Sequence, residues 1–419
     1  MKVNGALRVP GDKSISHRAL MLAALGDGAS RISGILESAD VQSTASVLRA
    51  LGAEIPSLGQ DITVNGVGLR GLRAPSEQLD CGNSGTTTRL MAGVVAGLPI
   101  SATFVGDASL SRRPMRRIAK PLEAMGARLD LPAHGGLPMV VHGGALKDID
   151  WHSEVASAQV KSAILLAGLI GGVRVTVEEP SPTRDHTERM LGARGVDIVR
   201  RGTRVELAPA HGCITAMDTL VPADPSSAAF FAGLAALADE GSLSLTEVCV
   251  NETRTGFLET LRRMGASVDF ARDHLSGGEW ISPVTVRPGS LRGVLIDESI
   301  VPTMIDELPL LACLATRAEG ETVITGATEL RVKESDRIAA VVDNLRAIGA
   351  EAAELDDGMR IVGSHRPLRG AIKAHGDHRL AMSFGVLGVL PGNEIHIDDR
   401  DCVAVSYPSF WSDLAKVLA

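Results

Sequence analysis

The stretch Gly11-Asp12-Lys13-Ser14-Ile15-Ser16-His17-Arg18 decides how the rest of this chain is interpreted. A glycine turn leads into polar residues and then into an apolar run that extends to Leu25. This order predicts a helix that Ser14 or Ser16 caps and that Gly26 ends. The first turn of a helix offers unpaired backbone N–H groups and the positive end of a dipole, so it attracts anions. An ordinary capped helix with solvated charges would explain the octapeptide equally well.

The composition narrows the class of protein. The chain has 419 residues, of which 45% are hydrophobic and 22% charged, as in globular proteins long enough for two or more domains. A net charge of −8 and only 3% aromatic residues disfavour binding to nucleic acid or to an anionic membrane surface. The five cysteines are widely spaced and form no CxxC pair, which indicates neither a disulfide framework nor a zinc site. The longest apolar run, around residues 163–173, is too short to span a bilayer, and we expect a cytoplasmic protein.

A helix-like segment that stops at a glycine and leads into an apolar residue recurs along the chain. The glycines are spaced roughly 70 residues apart and are Gly52, Gly126, Gly195, Gly265 and Gly349. Glycine is favoured where a helix ends in a left-handed residue, although Leu-Gly-Ala is common enough to arise by chance. The spacing predicts six similar α/β units in two lobes. Pro222 and Pro225 mark a candidate linker near the midpoint.

Polar clusters in front of apolar helices also recur. They are Cys81–Arg89, Ser109–Pro114, Ser157–Ser162, Ser181–His186, Ile305–Pro309, Arg331–Arg337 and Gly376–Arg379. Each has an ordinary explanation as a cap, a solvated basic face or a surface ion pair. The spacing of Lys333, Glu334 and Arg337, for example, predicts that they lie near one helix face, where ion pairs are common.

Together the clusters indicate more than any one of them does. Eight cations stand at predicted helix starts of an acidic chain: Lys13, Arg18, Arg89, Arg113, Arg184, Lys333, Arg337 and Arg379. If these helix starts converge, they form a positive site for small and highly anionic ligands, with acids placed for proton transfer. His378 beside a single Asp377 is poor evidence for a metal. The residues by themselves name no substrate.

At this point the chain resembles the 5-enolpyruvylshikimate-3-phosphate synthases over its whole length. The resemblance is carried by Gly11–Arg18, Asn83–Arg89, Ser157–Gln159, Ile305–Glu307, Arg331–Arg337 and Asp377–Arg379. It implies transfer of the enolpyruvyl group of phosphoenolpyruvate to the 5-hydroxyl of shikimate 3-phosphate, through a tetrahedral intermediate that loses phosphate. It also implies a two-lobed α/β fold, an inside-out α/β barrel of six repeated units with three in each lobe. Residues 1–11 and 225–419 would form one lobe and residues 12–224 the other, with the active site in the cleft between them.

The resemblance also implies a role for each matching residue. Glu334 and Lys13 would move the proton at the methylene carbon, and Asp306 would orient or deprotonate the 5-hydroxyl. The shikimate 3-phosphate site would comprise Lys13, Ser14, Arg18, Ser157, Ala158, Gln159, Arg184, Asp306 and Lys333. The phosphoenolpyruvate site would comprise Lys13, Gly85, Arg113, Gln159, Arg337 and Arg379, with Asn83, Thr86 and His378 nearby. No metal or organic cofactor is implied, and we expect a monomer whose partners are these two small molecules.

Three positions depart from some members of the family. Ala158 replaces a second serine, Arg184 replaces a tyrosine, and Val405 replaces a lysine near the C-terminus. Gly85 stands where an alanine would crowd the inhibitor glyphosate, and we therefore expect sensitivity to it.

Three rival functions fit the sequence less well. A UDP-N-acetylglucosamine enolpyruvyl transferase would be expected to carry a reactive cysteine near Arg113, and residues 105–117 contain none. A non-catalytic anion-binding module is disfavoured by the intact Lys13, Asp306 and Glu334. An RNA-end-processing enzyme of related architecture is disfavoured by the net charge and the scarcity of aromatic residues.

Overall fold

The computed structural model describes residues 1–210 and 212–418. In chain order the strands are β1 (Lys2–Leu7), β2 (Gly26–Asp27), β3 (Ala29–Ser33), β4 (Asp61–Asn65), β5 (Leu79–Asp80), β6 (Ser101–Val105), β7 (Arg128–Asp130), β8 (Met139–His142), β9 (Ile149–His152), β10 (Val175–Glu178), β11 (Ile198–Arg201), β12 (Arg204–Leu207), β13 (Ile214–Thr215), β14 (Thr219–Leu220), β15 (Glu240–Cys249), β16 (Ser267–Asp269), β17 (His274–Ser276), β18 (Glu279–Arg287), β19 (Leu295–Ile296), β20 (Glu321–Ile324), β21 (Glu351–Leu355), β22 (Gly358–Val362), β23 (Arg369–Ile372) and β24 (Glu394–Ile397).

The α-helices are α1 (Lys13–Ala24), α2 (Ala39–Ala50), α3 (Gly85–Ala96), α4 (Ala108–Arg112), α5 (Arg116–Met125), α6 (Ala158–Gly171), α7 (His186–Ala193), α8 (Pro225–Ala236), α9 (Gly256–Met264), α10 (Leu308–Ala315), α11 (Arg337–Ala347), α12 (His378–Gly388) and α13 (Phe410–Val417). Short 3-10 helices cover Val301–Thr303, Ile305–Glu307, Thr328–Val332 and Asp401–Val405. No helix in the described part of the chain combines the length and apolar character needed to cross a bilayer.

The chain divides into two compact units. The terminal unit comprises Met1–Pro10, Ala223–His274 and the chain from Trp280 onwards. The inserted unit comprises Gly11–Pro222 and the short segment Leu275–Glu279. The expected division placed residues 275–279 in the terminal unit, because nothing in the composition of this segment sets it apart from its neighbours.

One sheet pattern is repeated in both units. In four sheets a parallel pair is followed by two antiparallel pairings: β5-β6-β8-β7 and β9-β10-β12-β11 in the inserted unit, and β1-β15-β18-β16 and β19-β20-β22-β21 in the terminal unit. Shorter versions occur as β14-β3-β4 in the inserted unit and β23-β24 in the terminal unit. Within the described residues each unit therefore holds three α/β repeats, as the family resemblance implied.

Three helices lie at the centre of each unit. They are α1, α3 and α6 in the inserted unit and α8, α10 and α12 in the terminal unit, and nearly all of their residues are buried. Helices that are apolar on every face have to be covered on every side. Several strands have one buried and one exposed face, as in the alternating pattern of β4. Helices inside and sheets outside are the inside-out arrangement that the sequence analysis expected.

The recurring glycines end helices as expected. Gly126, Gly265 and Gly349 have φ angles of 114°, 115° and 88° and follow directly or closely on α5, α9 and α11. A side chain at such angles would be strained, so glycine allows the chain to leave the helix and begin a strand.

Candidate active site

The first polar cluster, at the start of α1, is capped by Asp12. Its carboxylate accepts a hydrogen bond from the N–H of Ile15 at 2.8 Å. The prediction that Ser14 or Ser16 caps this helix is therefore wrong. Ser16 is buried inside the helix, where its Oγ accepts from the N–H of Leu36 at 3.0 Å. The helix ends at Ala24, with Leu25 as its C-terminal cap, so Gly26 follows the cap and begins β2 instead of ending the helix.

Arg18 joins the starts of three helices. Its Nε donates to Thr187 Oγ1 at 2.7 Å, its Nη2 to Ser162 Oγ at 2.8 Å and its Nη1 to the carbonyl of Ser14 at 2.9 Å. Thr187 lies in the first turn of α7, Ser162 begins the second turn of α6, and Ser14 lies in the first turn of α1. These partners are neutral, so they hold the guanidinium in place without cancelling its charge.

The electrostatics of Arg18 follow from its burial. The side chain is buried, and this burial lowers the pKa of its guanidinium to about 10, so that it is still a cation at neutral pH. Arg184 is close enough to lower that pKa further, whereas Glu188 raises it. Arg18 and Arg184, which lie far apart in sequence, thus belong to one cluster.

Lys13 and Ser14 lie beside this cluster and are partly exposed. Lys13 Nζ pairs with Asp40 Oδ2 at 3.1 Å, and Asp40 lies in the first turn of α2. The residues of α1 that follow Ser14 are buried. His17 Nδ1 is 2.6 Å from Thr44 Oγ1, and burial lowers the pKa of His17 to about 3, so the imidazole is neutral.

The starts of α3 and α6 meet through Gln159. Gln159 Oε1 accepts from Arg89 Nη1 at 2.7 Å, and its Nε2 donates to Thr86 Oγ1 at 2.9 Å. Ser157 caps α6 by accepting from the N–H of Val160 at 3.4 Å, and Ala158 follows it as the first helical residue. The structure therefore brings these predicted residues of the two ligand sites side by side.

Gly85 lies against two guanidinium groups. A Cβ atom at this position would lie 2.7 Å from Arg89 Nη1 and 3.4 Å from Arg113 Nη1. Arg113 is itself held by its neighbour Asn83, whose Oδ1 accepts from Arg113 Nη2 at 2.6 Å. Asn83 in turn donates to Asp107 Oδ2 at 2.6 Å. The missing side chain of Gly85 leaves room beside two positive groups.

A second cluster, in the terminal unit, is built around Asp306. This residue lies in the 3-10 turn that leads into α10. Its Oδ1 is 3.3 Å from Arg337 Nη1 and 3.6 Å from Lys333 Nζ, and its Oδ2 is 3.9 Å from Arg379 Nη2. Three predicted cations of the site are thus gathered on the carboxylate of a fourth predicted residue.

Arg337 is the buried centre of this second cluster. Its Nη2 donates to Glu334 Oε2 at 2.7 Å and its Nε to Asp377 Oδ2 at 2.8 Å. Burial opposes the charge of Arg337, but Asp377, Glu334 and Asp306 together raise its pKa. Burial likewise opposes the charge of Asp377, and Arg337 nevertheless holds the pKa of that carboxyl below its ordinary value. The pair is therefore ionised in the folded protein.

The segment before α11 is less helical than its spacing predicted. The helix begins at Arg337 and is capped by Asp336, so the prediction that Lys333 and Glu334 share a helix face with Arg337 is wrong. Lys333 follows a 3-10 helix and has an extended backbone. Contacts with Asp306 and Arg337, and not helical periodicity, bring these side chains together.

The start of α12 completes the second cluster. Asp377 caps the helix by accepting from the N–H of Arg379 at 3.0 Å, while its carboxylate also holds Arg337. His378 is buried beside it. Among residues 1–210 and 212–418, no three His, Cys, Asp or Glu side chains are grouped so that they could hold a metal ion.

Sequence reasoning missed the residues that hold the cations. Thr187, Ser162 and Asp40 each contact a predicted site residue, but none of them was assigned a role. Ser162 was part of a recognised helix-start cluster, and Thr187 directly follows another. Short hydroxyl residues near the start of a buried helix are therefore a signal that could have found Thr187 and Ser162.

Comparison with known proteins agrees with this geometry. Residues 1–414 match the family model described as EPSP synthase (3-phosphoshikimate 1-carboxyvinyltransferase). A 3-phosphoshikimate 1-carboxyvinyltransferase from Sulfurihydrogenibium sp. is 47% identical, over 99% of this chain and 97% of that protein. Another from Alkalilimnicola ehrlichii is 50% identical, over 97% of this chain and 92% of that protein.

Solved structures give the same answer. The EPSP synthase from Acinetobacter baumannii superposes with a TM-score of 0.89 at 41% identity, covering 99% of this chain and 96% of that one. The enolpyruvyl transferase NikO from Streptomyces tendae, at 20% identity and a TM-score of 0.77, covers 100% of this chain and 95% of its own and shares the fold alone. The family match, the curated relatives and the structural likeness lead to one conclusion: this chain belongs to the EPSP synthase (3-phosphoshikimate 1-carboxyvinyltransferase) family.

Proposed function

We propose that this enzyme transfers the enolpyruvyl group of phosphoenolpyruvate to the 5-hydroxyl of shikimate 3-phosphate and releases phosphate. The observation that carries the proposal is the buried Arg18, a cation whose three hydrogen-bond partners, two hydroxyls and a carbonyl, do not neutralise its charge. A guanidinium has five N–H donors, so two remain for a ligand oxygen. A buried cation with donors to spare is suited to a phosphate group.

The inserted unit supplies most of the binding groups. Arg18, Arg184, Ser14 and Ser157 hold the phosphate and hydroxyls of shikimate 3-phosphate, beside Ala158, Gln159 and Lys13. Arg113 and the space at Gly85 hold phosphoenolpyruvate, with Asn83 and Thr86 nearby. Two phosphates at about −1.5 to −2 each and two carboxylates bring roughly six negative charges, which accounts for the concentration of cations in an otherwise acidic chain.

The terminal unit supplies most of the groups for proton transfer. The methylene carbon of phosphoenolpyruvate gains a proton, the 5-hydroxyl loses one, and the resulting tetrahedral intermediate expels phosphate. Glu334, beside Arg337, gives and takes the proton at the methylene carbon, with Lys13 as the second group at that atom. Asp306 accepts the hydrogen bond of the 5-hydroxyl, and Lys333 lies beside it on the acceptor. Arg337 and Arg379 hold phosphoenolpyruvate and stabilise the charge that develops in the transition state, with His378 nearby.

A turnover assay with two acceptors tests the proposal. Phosphate release is measured with phosphoenolpyruvate and either shikimate 3-phosphate or UDP-N-acetylglucosamine. We expect release with shikimate 3-phosphate only, and release with UDP-N-acetylglucosamine alone would assign the rival transfer. No release with either acceptor would leave an anion-binding module.

The oligomeric state and the cellular localisation also belong to the proposed function. We infer a monomer that works in the cytoplasm with these two small molecules as its partners. Light scattering on the eluting peak of a size-exclusion column measures the mass, and a mass of twice 43.8 kDa would contradict the monomer.

A further inference from the structure

We propose that Lys161 is a positioning residue for the acceptor's phosphate group, an inference that rests on the proposed function. Lys161 lies in the first turn of α6, directly before Ser162. Its Nζ is 2.7 Å from Glu179 Oε2 and 2.8 Å from Glu188 Oε1, and the three side chains are 1%, 2% and 6% exposed. One buried ammonium group therefore bridges two buried carboxylates.

The three ions tie together segments that are distant in sequence. Glu179 follows β10, and its Oε1 also accepts from Thr183 Oγ1 at 2.8 Å. Thr183 directly precedes Arg184, so this hydrogen bond fixes the segment that delivers Arg184. Glu188 lies in the first turn of α7, directly after Thr187. The two ion pairs of Lys161 thus hold the segment before α7 and the start of α7 against the start of α6.

The fastened segments carry the contacts of Arg18. Ser162 and Thr187 accept from Arg18, and they contact each other at 2.7 Å between their hydroxyl oxygens. Each is the sequence neighbour of a member of the ion cluster, Lys161 or Glu188. A shift of either segment would therefore move the hydroxyl groups that hold Arg18. Arg184 would move as well, because it follows Thr183 in the segment before α7. Glu188 also raises the pKa of Arg18, so it favours the charged form of that guanidinium.

Stability alone is a poor reason for three buried charges. Removing ions from water is costly, and a well-packed apolar cluster of similar volume usually stabilises a fold as well or better. Ion pairs do fix distance and direction, which apolar contacts do not. Burial opposes the charge of Lys161, yet Glu188 and Glu179 raise its pKa, so the ammonium stays charged and bridges both acids.

The test compares Lys161→Met with Leu169→Ala, a cavity variant at the far end of the same helix. Calorimetry measures the Kd for shikimate 3-phosphate, and kinetics measure the KM for phosphoenolpyruvate and kcat at saturation. For Lys161→Met we expect the Kd for shikimate 3-phosphate to rise about tenfold or more, since the loss of one hydrogen bond between charged groups costs about that factor. The other two values should stay within about threefold. Leu169→Ala should lower the melting temperature and leave the Kd unchanged.

Two further variants keep the inference open to contradiction if Lys161→Met does not fold. Glu179→Gln retains the Lys161–Glu188 ion pair and weakens the Lys161–Glu179 contact. It should therefore raise the Kd for shikimate 3-phosphate by about threefold. Glu188→Gln combined with Lys161→Met should bind no worse than Lys161→Met alone, because both changes break one contact. A strictly structural role would make the Kd follow the melting temperature in all variants, including Leu169→Ala, and that outcome overturns the inference. If the wild type itself does not bind shikimate 3-phosphate, the proposed function fails instead.

Discussion

The arginines of the two polar clusters of this enzyme donate to different kinds of partner. In the inserted unit Arg18, Arg89 and Arg113 donate to hydroxyls, amide oxygens and a carbonyl. In the terminal unit Arg337 is bound to the carboxylates of Glu334, Asp306 and Asp377. Neutral partners preserve positive charge for a ligand, whereas acidic partners balance it. This difference fits the proposed function, in which the first cluster mainly binds anions and the second places carboxylates for proton transfer.

The largest expected effect is on the acidic side of this comparison. Glu334→Gln should lower kcat about 100-fold or more, because general acid–base groups contribute about that factor, and KM values should change little. Steady-state kinetics with both substrates measure this. The matched control is Glu354→Gln, which removes the 2.9 Å ion pair with Arg331 in the same unit. A kcat within about threefold of the wild type for Glu334→Gln would show that Glu334 does not transfer the proton.

The next largest effect is expected on ligand binding by the first cluster, at Arg18. Arg18→Met removes a buried cation that the proposal places on the phosphate of the acceptor. The Kd for shikimate 3-phosphate should rise about tenfold to a hundredfold, which corresponds to the loss of one or two charge-assisted hydrogen bonds. Calorimetry measures the Kd. Arg128→Met, an exposed arginine paired with Asp130 in the same unit, should bind like the wild type. An unchanged Kd in Arg18→Met would remove the main support for the anion-binding role.

His17 is a further neutral group beside Arg18, which donates to neutral partners. Burial lowers its pKa from 6.5 to about 3, so the folded state excludes a proton that the unfolded state binds below pH 6.5. The stability from this group is fully present above pH 6.5 and is lost as the pH falls. At pH 5 the loss amounts to about 2 kcal/mol.

Melting curves at pH 7.5 and pH 5 measure this effect. The wild type should lose more stability between the two pH values than His17→Asn does. Equal losses in the two proteins would mean that His17 is charged in the folded state at pH 5 or does not titrate in this range.

The smallest effect is expected at Gly85. In Gly85→Ala the new Cβ would meet Arg89 Nη1 at 2.7 Å, and the flexible end of the arginine can move aside at moderate cost. The KM for phosphoenolpyruvate should therefore rise by about tenfold at most. Inhibition by glyphosate, expected to be competitive with phosphoenolpyruvate, should weaken at least as much. If both constants are unchanged, neither molecule uses the space at Gly85.

The sequence predicted what depends on local chemistry. The glycines after α5, α9 and α11 indicated the repeat, because glycine is the residue that most easily adopts the positive φ at which a helix ends. Polar clusters before apolar runs reported the helix starts on which the charged groups stand. Both signals are contained within a few consecutive residues.

The sequence could not predict choices that tertiary contacts make. Asp12 and the two serines of α1 can all cap a helix, and the sequence does not say at which of them the chain turns. Lys333 and Glu334 have helical spacing relative to Arg337, but their contacts with Asp306 and Arg337 hold them outside the helix. The Lys161 cluster joins residues from three separate segments, and their pairing became visible only in the fold.

Deuterium transfer from D2O to the methylene carbon tests the division between the two clusters most directly. The rate is measured with both substrates at saturation in the wild type, Arg18→Met and Glu334→Gln. Arg18→Met should exchange at nearly the wild-type rate once enough shikimate 3-phosphate is added to fill the weakened site. Glu334→Gln should exchange about 100-fold more slowly at any concentration. Exchange at the wild-type rate in Glu334→Gln, together with lost exchange in saturated Arg18→Met, would contradict the division.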